Sequence, residues 1–392
     1  MKLLLIVPHF RKPPLDGLNL VVWSILPALM RNGGVAVVGH LGNEEEIDAM
    51  QAAFGKNLEC LCLRGATAAE FFRNVPLIKR LRSHLSPRPV TREGLDPALA
   101  GWLERTAVQK QADRIMVFGH EMAGVVGLFA KPTIYVPLDS AARSNFEVAK
   151  CAGWPQSWSY FKQGLSWSDY EPRIIDRSFR SIFVSAVDAK FGGNAKRRNI
   201  QVIPNGVNCE LFKPETGISK QYDFAISGNF DYPPNRDGAL HFIRDVLPRM
   251  ERRGKTLICG KSTTSGFQQE AAAAEGVTCR WNVKDIGTEV QRGRVFVSPV
   301  RYGSGIRNNV LQAMACAMPV ISYAVNLEGL TPYPETGSVV VKSAREMAEV
   351  LNHEVVHPGG LLTAAASSRC DSLAHHNWED AGKAYAAAFD TT

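Results

Sequence analysis

Short β-rich apolar runs alternate with longer amphipathic stretches along almost the whole chain, and this alternation restricts the fold more than any other feature. Parallel strands need a long connection, usually a helix, so the pattern predicts parallel α/β layering. The predicted strands are 3–8, 35–40, 114–120 and 132–139 in the first half and 223–229, 255–260, 277–283, 294–300, 319–323 and 338–341 in the second. Helical stretches near 235–250, 305–318 and 344–354 separate several of the later strands.

The strands fall into two series of comparable size, which predicts two Rossmann-like, doubly wound domains. Periodicity lapses over 203–217, where Pro, Gly and Asn cluster, so the join is placed there. We therefore expect an N-terminal domain at 1–205, a C-terminal domain at 206–370, and a helix within 371–392 that packs back toward the first domain. Two such domains facing each other would form a central cleft at the carboxyl ends of their strands, where ligands bind in open α/β sheets.

Composition excludes several classes of protein. With 45% hydrophobic residues and a net charge of only +7 over 392 residues, the chain has the material for buried cores and is not disordered. The eight cysteines are scattered without a CxxC pair, which predicts a reducing, cytoplasmic location rather than a disulfide scaffold. The apolar start of the chain stops at Pro8 with no cleavage site after it, so it predicts a strand rather than a signal peptide. No membrane-spanning segment is visible in the sequence.

Much of the net positive charge lies in one segment. Residues 64–92 hold seven lysines and arginines against one glutamate, with leucines recurring at helical spacing. A basic amphipathic segment suits an anionic bilayer or an anionic acceptor, so peripheral contact with the inner face of a membrane is expected here. A solvated helix surface packed on the core is the alternative. Nucleic acid is not expected as a partner, because the charge is local and no recognition motif accompanies it.

The loop after the strand at 294–300 has the features of a phosphate site. Gly303 and Gly305 would let the backbone approach a ligand closely, and a helix is expected to start near Ile306. A helix N-terminus favours an anion, and Arg307 could grip a diphosphate with two hydrogen bonds. A tight strand-to-helix turn with a surface arginine is the alternative interpretation.

Other motifs carry less weight. A second glycine-bearing loop holds Gly228 and Asn229, with Asn235 as the expected N-cap of the following helix. His120 and Asp139 each follow a predicted strand, where functional residues gather, although a structural histidine and a simple helix cap are the alternatives. The GKS at 260–262 lacks the upstream glycine of a phosphate loop, and GxSxG and Asp-x-Asp motifs are absent. No metal site is expected.

Residues 200–214 and 298–330 resemble the GT-B glycosyltransferases, specifically the retaining glycosyltransferase family 4 (group 1). Residues 227–250 resemble a subgroup of bacterial sugar transferases of exopolysaccharide and glycan pathways, and a weaker resemblance extends over nearly the whole chain. This resemblance implies a nucleoside-diphosphate sugar as donor substrate, bound mainly by the C-terminal domain, without a metal or other cofactor. It implies a glycan, a lipid-linked molecule or another hydroxyl compound as acceptor, held mainly by the N-terminal domain.

The resemblance also assigns roles to residues. Such enzymes keep the α configuration by front-face attack, in which the leaving phosphate helps to deprotonate the acceptor and a protein base is unnecessary. The catalytic candidates are Arg307, His120 and Asp139. The donor-binding candidates are Gly17, Gly228, Asn229, Trp281, Val283, Gly303, Ser304, Gly305, Ile306, Arg307, Asn308 and Gln312.

One departure from the family leaves the function open. The usual pair of glutamates, eight residues apart, falls here on Ser304 and Gln312. Gln312 can still hydrogen-bond a ribose, but Ser304 cannot act toward a sugar hydroxyl as a carboxylate does. Two alternatives therefore stand beside a transferase: a GT-B nucleotide-sugar epimerase, and a catalytically silent subunit that binds a nucleotide sugar. The base, the sugar and the acceptor are not readable from the sequence.

Overall fold

The computed structural model describes residues 2–10, 16–31, 33–41, 44–62, 97–193, 197–330, 338–361, 369 and 374–390. The basic segment at 64–92 lies outside the described residues, so the expected membrane contact there stays a prediction. The chain divides into two compact units. The first combines Met1–Pro204 with Trp378–Thr392, and the second is Asn205–Asn377. No helix in the described ranges is long and apolar enough to cross a membrane.

The first unit is a parallel sheet of seven described strands in the order β3-β2-β1-β4-β5-β6-β7. The strands are β1 (Lys2–Phe10), β2 (Gly34–Leu41), β3 (Leu58–Cys62), β4 (Arg114–Phe118), β5 (Thr133–Leu138), β6 (Arg180–Phe183) and β7 (Ile200–Val202). The helices are α1 (Gly17–Arg31), α2 (Glu44–Phe54), α3 (Pro97–Gln109), α4 (Ala141–Cys151), α5 (Gln156–Arg177) and α6 (Ala186–Gly193). Strand β1 is buried almost throughout, as expected of a strand covered on both faces.

The second unit repeats this architecture with six described strands in the order β10-β9-β8-β11-β12-β13, all paired in parallel. The strands are β8 (Tyr222–Asn229), β9 (Thr256–Lys261), β10 (Val277–Trp281), β11 (Gly293–Ser298), β12 (Val320–Tyr323) and β13 (Ser338–Val341). The helices are α7 (Pro233–His241), α8 (Ser265–Ala273), α9 (Ile286–Val290), α10 (Asn308–Ala315) and α11 (Ala344–Val356). The predicted α/β class with two doubly wound sheets is confirmed.

The last described helix, α12 (Trp378–Ala387), belongs to the first unit although it ends the chain. It packs against α1 so closely that a Cβ placed at Gly382 would lie 2.7 Å from the Cβ of Ala28. Tyr385 is buried in the same core, with its ring 6.4 Å from that of Phe118.

Two predicted helix starts differ from the observed ones. Helix α7 begins at Pro233, so Asn235 is inside its first turn and is not the N-cap. Pro233 favours this start, because its fixed φ and missing N–H suit the first helical position. Helix α10 begins at Asn308 rather than near Ile306, and Arg307 is its N-cap residue, with an extended backbone. Residues 242–249, predicted as α-helix, form a π turn followed by a 3₁₀ turn.

Candidate functional site

The loop between β11 and α10 is built around Arg307. The backbone at Gly303 and Gly305 has positive φ angles of 138° and 71°, which glycine adopts without strain. A Cβ at Gly303 would overlap the guanidinium of Arg307, so this side chain lies directly across the glycine. The Nη2 atom of Arg307 donates a hydrogen bond of 2.9 Å to the carbonyl oxygen of Tyr302. Glycine at 303 therefore makes room for the arginine.

Arg307 is 7% exposed, and its Nε–H has no hydrogen-bond partner in the described part of the chain. A buried charged donor without an acceptor costs free energy unless a ligand supplies the acceptor. The N–H groups of Asn308 and Asn309, at the start of α10, have no carbonyl of a preceding helical turn to bond, and they carry the positive end of the helix dipole. The loop thus offers fixed positive charge and backbone donors, which is what a phosphate group requires.

Asparagine side chains hold this loop in place. Asn309 Nδ2 donates to the carbonyl oxygen of Ser227 at 2.7 Å, which ties α10 to the end of β8. Asn205 Nδ2 donates to Asn308 Oδ1 at 3.0 Å, and the Asn205 carbonyl oxygen is 2.8 Å from Nδ1 of the buried His376. Since β8 and β11 are neighbours in the sheet, the donor candidates at 228–229 and 303–308 lie on the same edge. Sequence reasoning did not single out Asn205 or Asn309.

The neighbouring strand ends approach each other closely at two glycines. A Cβ at Gly260 would overlap the carbonyl oxygen of Gly228, so β8 and β9 can end side by side only with glycine there. The carbonyl oxygen of Gly260 accepts a 2.6 Å hydrogen bond from the backbone N–H of Asn282. The backbones of β8, β9 and β10 therefore lie in close contact at the carboxyl ends of these strands.

The remaining donor candidates have varied surroundings. The ring of Trp281 packs 5.7 Å from Phe230 and 5.5 Å from Phe267, and Val283 is half-buried in the loop after β10. Ser304 and Ile306 are buried, and Gln312 is half-buried within α10. Gly17 belongs to the first unit, where it is the exposed first residue of α1 and follows Asp16, whose carboxylate accepts the Asn19 N–H at 2.9 Å.

In the first unit, His120 and Asp139 form a pair at the carboxyl ends of β4 and β5. His120 Nε2 lies 3.0 Å from Asp139 Oδ1, and the imidazole ring lies 5.7 Å from that of Trp167. The Nδ1 atom of His120 is buried without a hydrogen-bond partner in the described residues. Asp139 is not the cap of α4, because the Ser140 hydroxyl accepts the Arg143 N–H in that role. The structure therefore brings together two residues that the sequence presented separately.

Two fully buried carboxylates support this pair, and sequence reasoning missed both. Glu171 of α5 accepts hydrogen bonds from the Ser140 hydroxyl at 2.7 Å and from the Ala141 N–H at 3.1 Å. Asp188 of α6 accepts from the Arg143 guanidinium at 3.1 Å. Together they fix the turn that directly follows Asp139. The sequence does contain a signal for Glu171: it is a charged residue on the apolar face of α5, among the core-facing Trp167, Tyr170 and Ile174.

The electrostatics of the pair favour a protonated histidine. Burial alone lowers the pKa of His120, but the hydrogen bond and charge of Asp139, with the charges of Glu171 and Glu121, raise it to about 9. Burial raises the pKa of Glu171, against the lowering effect of His120 and of its own hydrogen bonds. At neutral pH the imidazolium is thus a fixed positive charge and a hydrogen-bond donor rather than a base.

We expect the first unit to lose stability as the pH rises from about 6.5 to about 9. The pKa of His120 is above its unfolded value of 6.5, so its contribution is complete below that value and disappears as the pH passes about 9. The loss is on the order of 2 kcal/mol, or several degrees in melting temperature. Circular-dichroism melting curves at pH 6, 7.5 and 9 measure this loss of stability.

Asp139→Asn should flatten the dependence of stability on pH, whereas Asp169→Asn, an exposed change on α5, should keep it. Equal pH dependence in the Asp139→Asn variant and the unaltered protein would contradict the assignment.

Comparison with known proteins adds an independent finding. Residues 221–354, within the second unit, match the model of a family described as Glycosyl transferases group 1. Comparison with curated proteins gives no match. The match covers most of the second unit, and the predicted enzyme class, a glycosyltransferase, is confirmed.

Solved structures resemble the whole chain. Sucrose-phosphate synthase from Thermosynechococcus elongatus has a TM-score of 0.70 at 17% identity, covering 97% of this chain and 96% of that one. HepE of Anabaena in complex with UDP and glucose has a TM-score of 0.66 at 13% identity, covering 98% of both chains. WaaG, a glycosyltransferase involved in lipopolysaccharide biosynthesis, has a TM-score of 0.65 at 13% identity, covering 99% of this chain and 100% of that one. The likeness shows that the fold is GT-B.

Proposed function

We propose that this chain transfers a sugar from a nucleoside-diphosphate sugar to an acceptor hydroxyl. The observation that supports this most directly is Arg307, a buried arginine with an unpaired Nε–H at the N-terminus of a helix. Such a group is suited to a diphosphate, the leaving group of a nucleotide sugar. The finer assignment to the retaining family 4 and to glycan or polysaccharide biosynthesis belongs to the same proposal. So do the cytoplasmic location and the absence of a cofactor.

In the proposed reaction the donor's anomeric C–O bond breaks as the acceptor oxygen bonds to the same face of that carbon. The acceptor proton passes to an oxygen of the departing diphosphate, so no side chain has to accept it. Arg307 and the first N–H groups of α10 stabilise the charge that develops on this leaving group. Preorganised donors of this kind lower a barrier because they need no reorganisation during the reaction.

His120 has a different proposed role. Its pKa of about 9 keeps the imidazole protonated at neutral pH, so it acts as a positive charge near the acceptor hydroxyl instead of removing a proton from it. Asp139 positions the ring through Nε2 and holds its charge. This assignment agrees with a reaction in which the leaving phosphate is the base.

A uridine nucleotide is the first donor to test, because HepE, which is similar in fold, has been solved with UDP and glucose. A thermal-shift screen against UDP, GDP, TDP, ADP and CMP without metal should give a selective shift with one diphosphate. A ligand at about 100 times its dissociation constant stabilises a protein by roughly 2.7 kcal/mol, which such a screen detects. No shift with any nucleotide would count against the assigned donor site.

A silent binding subunit is the second candidate, and it is favoured by the buried, uncharged Ser304 at a position where the family has a glutamate. Acceptor-dependent release of nucleoside diphosphate separates the possibilities. A transferase releases it only with an acceptor and forms a glycoside. An epimerase converts the nucleotide sugar without an acceptor, and a silent subunit binds it without turnover.

A further inference from the structure

The helices after β5 carry a surface of exposed aromatic and aliphatic side chains, here called the aromatic face. Six of the eleven large hydrophobic side chains that are exposed in the described residues belong to it. They are Trp154, Trp158, Phe161, Leu165, Val187 and Phe191. Trp154 is 85% exposed and Trp158 is 58% exposed, which is unusual for the largest apolar side chain.

The aromatic face is continuous. The rings of Trp158 and Phe161 stack at 5.8 Å, and Phe161 lies 5.7 Å from the ring of the partly buried Phe146. These three rings, with Trp154 and Phe191, line a cavity of about 660 Å³ that α4, α5 and α6 surround. Clustered exposed apolar groups of this kind mark an interaction site, whereas scattered ones do not.

Core packing does not account for the aromatic face. Helix α5 buries Trp167, Tyr170 and Ile174 in the core of the first unit. Residues 158, 161 and 165 follow one another at helical spacing in the other half of the same helix, where they remain exposed. The sequence therefore keeps a second apolar stripe on α5 that no described part of the chain covers.

Lysines are interleaved with these apolar side chains on each of the three helices. Lys162 is four residues after Trp158, and Lys190 is three residues after Val187, so each shares a helix face with the exposed groups. Lys150 lines the cavity and is 66% exposed, although it also pairs with Glu147 at 2.6 Å. The face therefore combines aromatic rings with positive charge, which is the composition of protein surfaces at a membrane interface.

Charge also argues against a second copy of this chain as the occupant. A symmetric contact would place the same surface on both sides and bring the lysines of two copies together. An anionic surface, by contrast, complements them, while tryptophan rings are suited to the boundary between headgroups and acyl chains.

We propose that the aromatic face docks this protein on an anionic lipid bilayer. Trp154 and Trp158 enter the interface, and Lys150, Lys162 and Lys190 lie at the level of the lipid phosphates. The inference goes beyond the proposed function, since it does not require sugar transfer, and it concerns residues other than 64–92. Trp167 lies six residues after Phe161, or about 9 Å along α5, and its ring contacts that of His120. Docking would therefore bring the His120–Asp139 pair close to lipid-borne hydroxyls.

Flotation of the full chain with vesicles tests the proposal. We expect binding to vesicles that contain 30 mol% phosphatidylglycerol, and at least tenfold weaker partitioning of a Trp154→Ser/Trp158→Ser variant. Both rings are exposed, so their loss should leave folding intact, and circular dichroism checks this. A Lys162→Glu/Lys190→Glu variant should also bind at least tenfold less. A Val108→Ser/Leu211→Ser variant, which removes exposed apolar side chains elsewhere, should bind as the unaltered protein does.

Three outcomes would overturn the proposal. The unaltered protein could fail to bind anionic vesicles. The tryptophan variant could bind them unchanged, which would place the contact elsewhere in the chain. Sedimentation velocity could instead show a dimer that the tryptophan substitutions dissociate, which would assign the face to self-association. A blue shift of tryptophan fluorescence on vesicles, lost in the double tryptophan variant, would be direct support.

Discussion

Replacement of Arg307 by alanine is expected to lower the rate of sugar transfer by about 10² to 10³-fold, the usual effect of removing one preorganised donor from a transition state. The guanidinium is buried, and it keeps an unpaired Nε–H beside the N-terminus of α10. Its loss should also abolish the thermal shift with the cognate nucleoside diphosphate. Acceptor-dependent release of nucleoside diphosphate measures the rate, and the thermal-shift assay measures binding.

Two further variants sharpen this result. Arg307→Lys keeps the charge but loses the planar fork, so we expect activity between that of the alanine variant and that of the unaltered enzyme. Arg244→Ala removes an exposed arginine that pairs with Glu270 in the same unit, and it should leave turnover unchanged. Unchanged donor turnover in the Arg307→Ala protein would refute the assignment of the diphosphate site to this loop.

Most strands that the sequence predicts are buried on both faces, because a short, continuous apolar run between turn residues is typical of a strand covered on both sides. Strands β10 and β13, at the edges of the second sheet, are half-buried and were predicted as well. Three strands escaped prediction: β3, β6 and β7. Strand β3 contains Glu59, β7 has three residues, and both lie at the edges of the first sheet. Strand β6 lies inside the sheet, but it has only four residues and begins with Arg180. Strands this short or half-polar have no periodicity to detect, since only their pairing with a neighbour defines them.

From the sequence, the candidate site could be predicted only in the segment where its residues are close together in the chain. Glycines, an arginine and a helix start within a few residues indicated the loop at 303–308. The hydrogen bonds that position it join residues far apart in sequence, such as Asn205 with Asn308 and Asn309 with Ser227. Nothing local signals such contacts. Likewise His120 and Asp139 were recognised separately, but their pairing depends on β4 and β5 being adjacent.

The second large effect is expected from Asp139→Asn, which should move the alkaline limit of activity to lower pH. If protonated His120 is the active form, activity of the unaltered enzyme falls as the pH passes about 9. Without the Asp139 charge, burial, which lowers the pKa of His120, is opposed only by Glu171 and Glu121. The variant should therefore lose tenfold or more of its activity at pH 8, and less at pH 6.

The same pH–rate profile distinguishes a positioning residue from a structural one. Glu171 also raises the pKa of His120, and it fixes the turn after Asp139 through Ser140 and Ala141. Glu171→Gln keeps the shape of the side chain but removes its charge. It should therefore move the alkaline limit of activity to lower pH, as Asp139→Asn does, but by a smaller amount. Asp169→Asn, an exposed change on the same helix, should leave the profile unchanged. If all three variants kept the alkaline limit of the unaltered enzyme, the charge of His120 would have no part in the reaction.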